Sequence, residues 1–88
     1  MDKLKAIFEG KNVRLSYVID NSYIVDRTPQ YRPICYIEGV KVFDGKEKLE
    51  VISRSDFHKL LHYACEQGKA DKRFNAYGRY DITAEFKL

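Results

Sequence analysis

His58 and His62 are the only histidines of the chain, and they stand four residues apart on a stretch with helical spacing. That interval puts two imidazoles on one side of a helix, as in helical zinc sites, with Cys65 one turn further on. A zinc site needs a third and a fourth ligand, and Cys35 is the only other thiol or imidazole in the chain. Helical projection sets His58 at the border of an apolar stripe and turns His62 to solvent beside Lys59, Glu66 and Lys69. The expectation is two surface histidines and no metal. A thiol nucleophile at Cys65 is also disfavoured, because a reactive cysteine needs an electropositive, partly exposed setting and Cys65 lines an apolar edge. The 13 carboxylates are spread over turns and outward strand faces and form no convergent acid–base pair. No catalytic residue and no cofactor is expected.

Two basic-aromatic clusters remain. Segment 69–80 interleaves Lys69, Lys72, Arg73 and Arg79 with Phe74, Tyr77 and Tyr80, diluted by Asp71. Cations that neutralise phosphates and aromatic faces that stack on unpaired bases are what single-strand binders combine. The second cluster is Arg27, Tyr31 and Arg32. Tyrosine and arginine also dominate the energetics of protein–protein contacts. The leading expectation is a non-enzymatic binding protein that docks on another protein as an inhibitor or regulator, through Arg27, Tyr31, Arg32, Phe74 and Tyr77. The second is a nucleic-acid-binding module that uses Lys69, Lys72, Arg73, Tyr77 and Arg79. A third, by analogy of size and charge, is a small basic ribonuclease of the toxin type. Those folds open with a long two-helix hairpin, which residues 1–12 are too short to supply.

Composition bounds these readings. A chain of 88 residues builds one core and one domain, 1–88. It is 44% hydrophobic and 33% charged, a globular balance, with seven Tyr, five Phe and no Trp. A tyrosine needs a hydroxyl partner when buried, so several of the seven belong at the surface or in an interface. The net charge is +3, a mixed surface more than a cationic one. No apolar run reaches the length of a membrane span. The start, Met1-Asp2-Lys3-Leu4-Lys5, lacks the apolar core of a signal peptide, so the expectation is a cytoplasmic protein with reduced thiols, a monomer or a homodimer.

The elements that must carry these residues follow from periodicity. Leu4, Ile7 and Phe8 have helical spacing ahead of Gly10, which favours a short N-terminal helix over a strand. Val13–Ile19 alternates as a strand, Asp20-Asn21-Ser22 reads as a turn, and Tyr23–Val25 as a second strand. Asp26–Pro33 holds both prolines and reads as an irregular loop. Ile34–Ile37 and Val40–Phe43 are apolar around Glu38-Gly39, a turn or a bulge. Asp44-Gly45 is a type I′ signal that would pair Val40–Phe43 with Leu49–Ile52. A helix over about 54–67 begins at Ser53 or Ser55, buries Phe57, Leu60, Leu61 and Ala64, and stops at Gly68. Tyr80–Leu88 alternates cleanly to the last residue. The sum is an α+β fold, a mainly antiparallel sheet of four or five strands with one helix packed on one face and a short helix at the N-terminus.

Phe8-Glu9-Gly10-Lys11-Asn12-Val13-Arg14, followed by a strand, resembles the opening hairpin of the Bro-N domain of phage antirepressors. The match covers those residues alone, and the chain after Ile19 departs from the pattern. The resemblance implies a strand at residues 2–9 and an origin in a phage or mobile element, and it brings no site residue with it.

Overall fold

The computed structural model describes residues 1–88. In chain order it contains α1 (Asp2–Phe8), β1 (Asn12–Val25), β2 (Thr28–Ile37), β3 (Val40–Asp44), β4 (Leu49–Glu50), α2 (Arg54–Glu66), β5 (Ala70–Phe74) and β6 (Tyr80–Lys87). The strands form one antiparallel sheet in the order β4-β3-β2-β1-β6-β5. The α+β class and the antiparallel sheet are as expected, but the sheet has six strands, not four or five. The extra strand is β5, whose Ala-Asp-Lys-Arg-Phe sequence shows no apolar alternation because only Ala70 of the five is even partly buried. Residues 2–8 are a helix, not the strand that the Bro-N resemblance implies.

Both helices lie on one face of the sheet. Val13, Leu15, Cys35, Phe43 and Phe86 of the strands close over Leu4 of α1 and Phe57, Leu60 and Ala64 of α2, all buried in one cluster. The Phe43 and Phe57 rings meet at 5.5 Å. Leu61 is only partly buried at the margin of this cluster. Ser53 starts α2 through a capping box: its hydroxyl accepts the Asp56 N–H at 3.0 Å, and the Asp56 carboxylate reaches back to the Ser53 N–H. Gly68, at φ +68°, lets the chain leave α2 for β5. Just past β6, the Leu88 N–H donates to the Lys11 carbonyl at 3.0 Å.

The turns depart from the sequence reading in an instructive way. The two-residue turns are Asp26-Arg27 (φ 51° and 64°) and Glu38-Gly39 (φ 51° and 77°), each with both central residues left-handed, as a type I′ turn requires. Asp44-Gly45 is not such a turn. Gly45 has no positive φ, the chain crosses through residues 45–48 with Lys48 at φ 56°, and the ladder is confined to Phe43–Glu50 and Asp44–Leu49. The Asp44 carboxylate explains this, because it accepts the N–H groups of Lys46 and Glu47 and so shapes a longer loop. Asp20 does the same for Ser22, but β1 runs on through it, and the predicted turn at 20–22 is a register shift inside one long strand.

Asp26–Pro33 is likewise not an irregular loop. From Thr28 onward it is strand β2, with Pro29 opposite Ile24 and Pro33 opposite Tyr17. The Glu38 N–H bonds the Asn12 carbonyl, and counting along the ladder from that bond makes Pro33 a position whose nitrogen faces away from β1. On that outer side Pro33 stands beside Gly45, whose N–H bonds the Pro33 carbonyl at 2.9 Å, and with no N–H to return Pro33 ends the β2–β3 ladder there instead of interrupting it. Because β6 pairs with β1 only as far as Tyr17, and β3 with β2 only from Ile34, the remainder of this hairpin projects as a two-stranded arm. The molecule is accordingly elongated, 40 × 26 × 20 Å. No helix is long and apolar enough to cross a membrane.

Candidate functional site

The arm and the β5–β6 hairpin meet, and the meeting is organised by residues of both. On β2, Tyr31 falls opposite Ile19 and shares the helix-bearing face with Pro29 and its partner Ile24. On the other hairpin, Phe74 falls opposite Tyr80, on the face of Ile82 and Tyr17. The Tyr17 and Tyr31 rings stack at 4.7 Å and 4°, and the Phe74 and Tyr80 rings touch at 4.6 Å. The Tyr31 hydroxyl donates to the Tyr80 carbonyl at 2.9 Å and accepts from Asn75 Nδ2, also at 2.9 Å.

Asn75 is the hub of this junction, and the sequence reading missed it. Its Nδ2 also donates to Asp81 Oδ1 at 3.0 Å, and its Oδ1 accepts the N–H groups of Tyr77 and Arg79 at 2.9 and 3.2 Å. The Asn-x-x-Gly sequence of residues 75–78 was a turn signal by composition. Asp81 Oδ1 in turn accepts the Ile19 N–H at 3.2 Å, which ties β6 to the root of the arm beyond their shared ladder. Tyr77 reaches across to Asn21 Oδ1 at 3.4 Å. The surface so built leaves large apolar groups in water: Phe74 is 67% exposed, Tyr77 54%, Tyr80 50% and Ile24 50%.

The five docking candidates therefore separate. Tyr31, Phe74 and Tyr77 are brought to this one junction. Arg27 lies at the exposed tip of the arm, in the left-handed region. Arg32 sits on the opposite face and is committed to structure. Its Nε and Nη2 form a fork on Asp44 at 3.0 and 2.6 Å, and its remaining contacts are Asp20 at 3.3 Å and Glu47 at 3.3 Å. Lys41 Nζ completes the cage around Asp44 at 2.9 Å. Burial by itself would raise the Asp44 carboxyl, but the hydrogen bonds from Arg32, Lys41 and the Glu47 and Lys46 amides outweigh it and hold it well below the usual carboxylate range. The bond to Asp44 lifts the Arg32 guanidinium further above its ordinary value. Next to this cage, the Tyr23 hydroxyl and Lys46 Nζ tie the irregular part of β1 to the β3–β4 loop.

The nucleic-acid candidates divide between faces. Lys72 shares the helix-bearing side with Phe74, whereas Arg73 points to the uncovered side and pairs with Asp71 at 3.2 Å. Lys69 lines a shallow groove of about 430 Å³ on that uncovered side, together with Arg14, Tyr36, Asp71 and Glu85. There the Arg14 guanidinium lies 4.4 Å from the Tyr36 ring centre. Arg79 and Tyr77 lie in the β5–β6 loop. The five are divided between the two faces and the loop, and Arg73 is paired with Asp71, so they make no continuous cationic track.

The histidines do unlike things. His58 stands edge-on to Tyr17 and Phe57 at 6.1 and 5.6 Å, whereas His62 Nε2 lies 2.7 Å from Glu66. No group of three or more His, Cys, Asp or Glu is arranged to hold a metal ion. Cys35 is fully buried, and desolvation pushes its thiol up to about 12, the opposite of an activated nucleophile. Cys65 is a partly buried free thiol at the edge of α2. No protein-family model matches the chain, and neither a curated protein nor a solved structure matches it.

Proposed function

We propose that this protein works by docking on another protein, as an inhibitor or regulator with no chemistry of its own. The aromatic junction between the arm and the β5–β6 hairpin is its contact face. The observation that carries this reading is the exposure of Phe74, Tyr77, Tyr80 and Ile24 on a surface whose geometry is already held by Asn75 and the Tyr31 hydroxyl. Rings held in place before binding lose little entropy on binding, which favours affinity from a small patch. Arg27 supports the same reading. An arginine at φ 64° occupies a position where glycine or asparagine would cost less, and an exposed residue kept under strain points to a role outside folding.

Affinity capture from a lysate, with and without nuclease, tests the reading. A partner retained after nuclease and lost from Phe74→Ala and Tyr77→Ala supports it. The opposing result is sub-micromolar binding of DNA or RNA at about 150 mM salt that Arg73→Ala and Arg79→Ala abolish while Tyr77→Ala leaves it intact.

A further inference from the structure

Strand β5 has a neighbour on one side only. The Asn75 N–H bonds the Arg79 carbonyl at 2.8 Å, and alternation from that pair sends the backbone groups of Asp71 and Arg73 toward β6. Those of Ala70, Lys72 and Phe74 therefore face outward. The other free edges are blunted. Strand β4, at the far end of the sheet, is two residues long. The outer side of β2 is taken up at Pro33 by Gly45 and carries Pro29 beyond it, and the outer side of β1 is broken by its register shift and taken up at Ile19 by Asp81. Strand β5 contains neither proline nor bulge.

We infer that this edge pairs with the same edge of a second copy of the chain, β5 against β5, antiparallel about a two-fold axis at Lys72. That register sets all three outward-facing positions against each other, Ala70 against the second copy's Phe74 and Lys72 against its Lys72. It also sets Asp71 directly opposite the second copy's Arg73, and Arg73 opposite its Asp71, with Cβ atoms about 5 Å apart. Within one chain Arg73 Nε already lies 3.2 Å from Asp71 Oδ2, so joining the edges closes a square of alternating charge. The side chain of Phe74, left largely in water by the single chain, comes to lie over Ala70 of the second copy. The contact is isologous and closed, and the joined sheet ends at both sides in the short β4. The two Lys72 side chains oppose at the axis and weaken the pairing. A contact this small gives a reversible dimer with Kd on the order of tens of micromolar.

The dimer does not rest on the docking surface, and although Phe74 belongs to both, the tests separate them. Sedimentation equilibrium should show the mass rising from 10.4 kDa toward twice that value as concentration passes through the order of 100 μM. Asp71→Arg and Arg73→Asp should each weaken association about tenfold, because each opposes like charges across the axis. An equimolar mixture of these two variants should recover the dimer, since an edge bearing two arginines then meets an edge bearing two aspartates. Lys72→Thr should tighten it several-fold. Circular dichroism of each variant separates loss of pairing from loss of fold. A mass fixed at 10.4 kDa into the millimolar range, or a mixture no more associated than its components, overturns the inference. Tyr77→Ala should leave the dimer unchanged.

Discussion

Asp44 has no surface in contact with water, yet it is charged, because Arg32, Lys41 and two amides surround it. Its carboxyl lies below the ordinary value of 3.8 in the folded chain. The stabilisation is therefore fully present above that value and is lost as the pH falls through it toward the folded pKa. Asp44→Asn leaves Arg32 and Lys41 facing a neutral amide and should cost about 2–4 kcal/mol at neutral pH, read from the denaturant midpoint. The variant should also lose less stability than the parent between about pH 4 and pH 2. An unchanged midpoint would mean the cage is not a structural element. Next to it, a Cβ at Gly45 would stand 2.7 Å from Pro33 Cγ, so Gly45→Val should cost about 1–3 kcal/mol through steric overlap and not through backbone strain. Arg27 gives a prediction of two opposite signs. Arg27→Gly relieves a left-handed arginine and should stabilise the fold by a few tenths to about 1 kcal/mol, while weakening attachment to the partner. A variant that gains stability and keeps full binding would remove Arg27 from the contact face.

Helix α2 tests how well an apolar stripe reads as a core. Leu60 is fully buried and Leu61 is not, although both belong to the same sequence pattern. Leu60→Ala should lose about 2–4 kcal/mol through the cavity it leaves, and Leu61→Ala about half that or less. Equal losses would mean that Leu61 is covered, by association of chains or by a rotated helix. The β5–β6 hairpin depends in the same way on Asn75, whose side chain bonds both ends of its own loop and the Tyr31 hydroxyl. Asn75→Ala should loosen residues 75–79, visible as faster amide exchange there with the core amides of β1 and β2 unchanged. Uniform protection across the loop would show that the ladder alone holds it.

For the molecule as a whole, the distribution of charge separates the two main classes of partner. The chain carries 16 basic and 13 acidic groups, and on its faces the two signs alternate. Phosphate neutralisation would make affinity fall steeply with salt, at a logarithmic slope of about 0.9 per duplex phosphate contacted. Docking through Phe74, Tyr77 and Tyr80 buries apolar area that ions do not screen, so the Kd for the partner should change less than about threefold between low and physiological salt. A slope of several units would favour nucleic acid.

The features legible in the chain were those that local chemistry decides. The spacing of Phe57, Leu60 and Ala64, the Ser53–Asp56 cap, Gly68 and the alternation of Tyr80–Leu88 all produced the elements they implied, because each needs only a few neighbouring residues. Asp20 and Asp44 do mark places where the backbone bends, and the bonds from their carboxylates to amides two and three residues on are the cause. The path of the chain beyond each bend was not local. A bulge and a reversal begin with the same residues, and pairing with β2 carried β1 through residues 20–22. Strand β5 has no pattern of its own because an edge strand is defined by its neighbour β6. Pro33 of β2 is harmless only because it stands where the pairing with β3 ends, its carbonyl taking the last bond from the Gly45 N–H. The candidate site follows the same rule. Tyr31, Phe74 and Tyr77 were marked by residue type, whereas their convergence on Asn75, and the withdrawal of Arg32 into the cage around Asp44, depend on strands 12 to 49 residues apart in sequence being laid side by side.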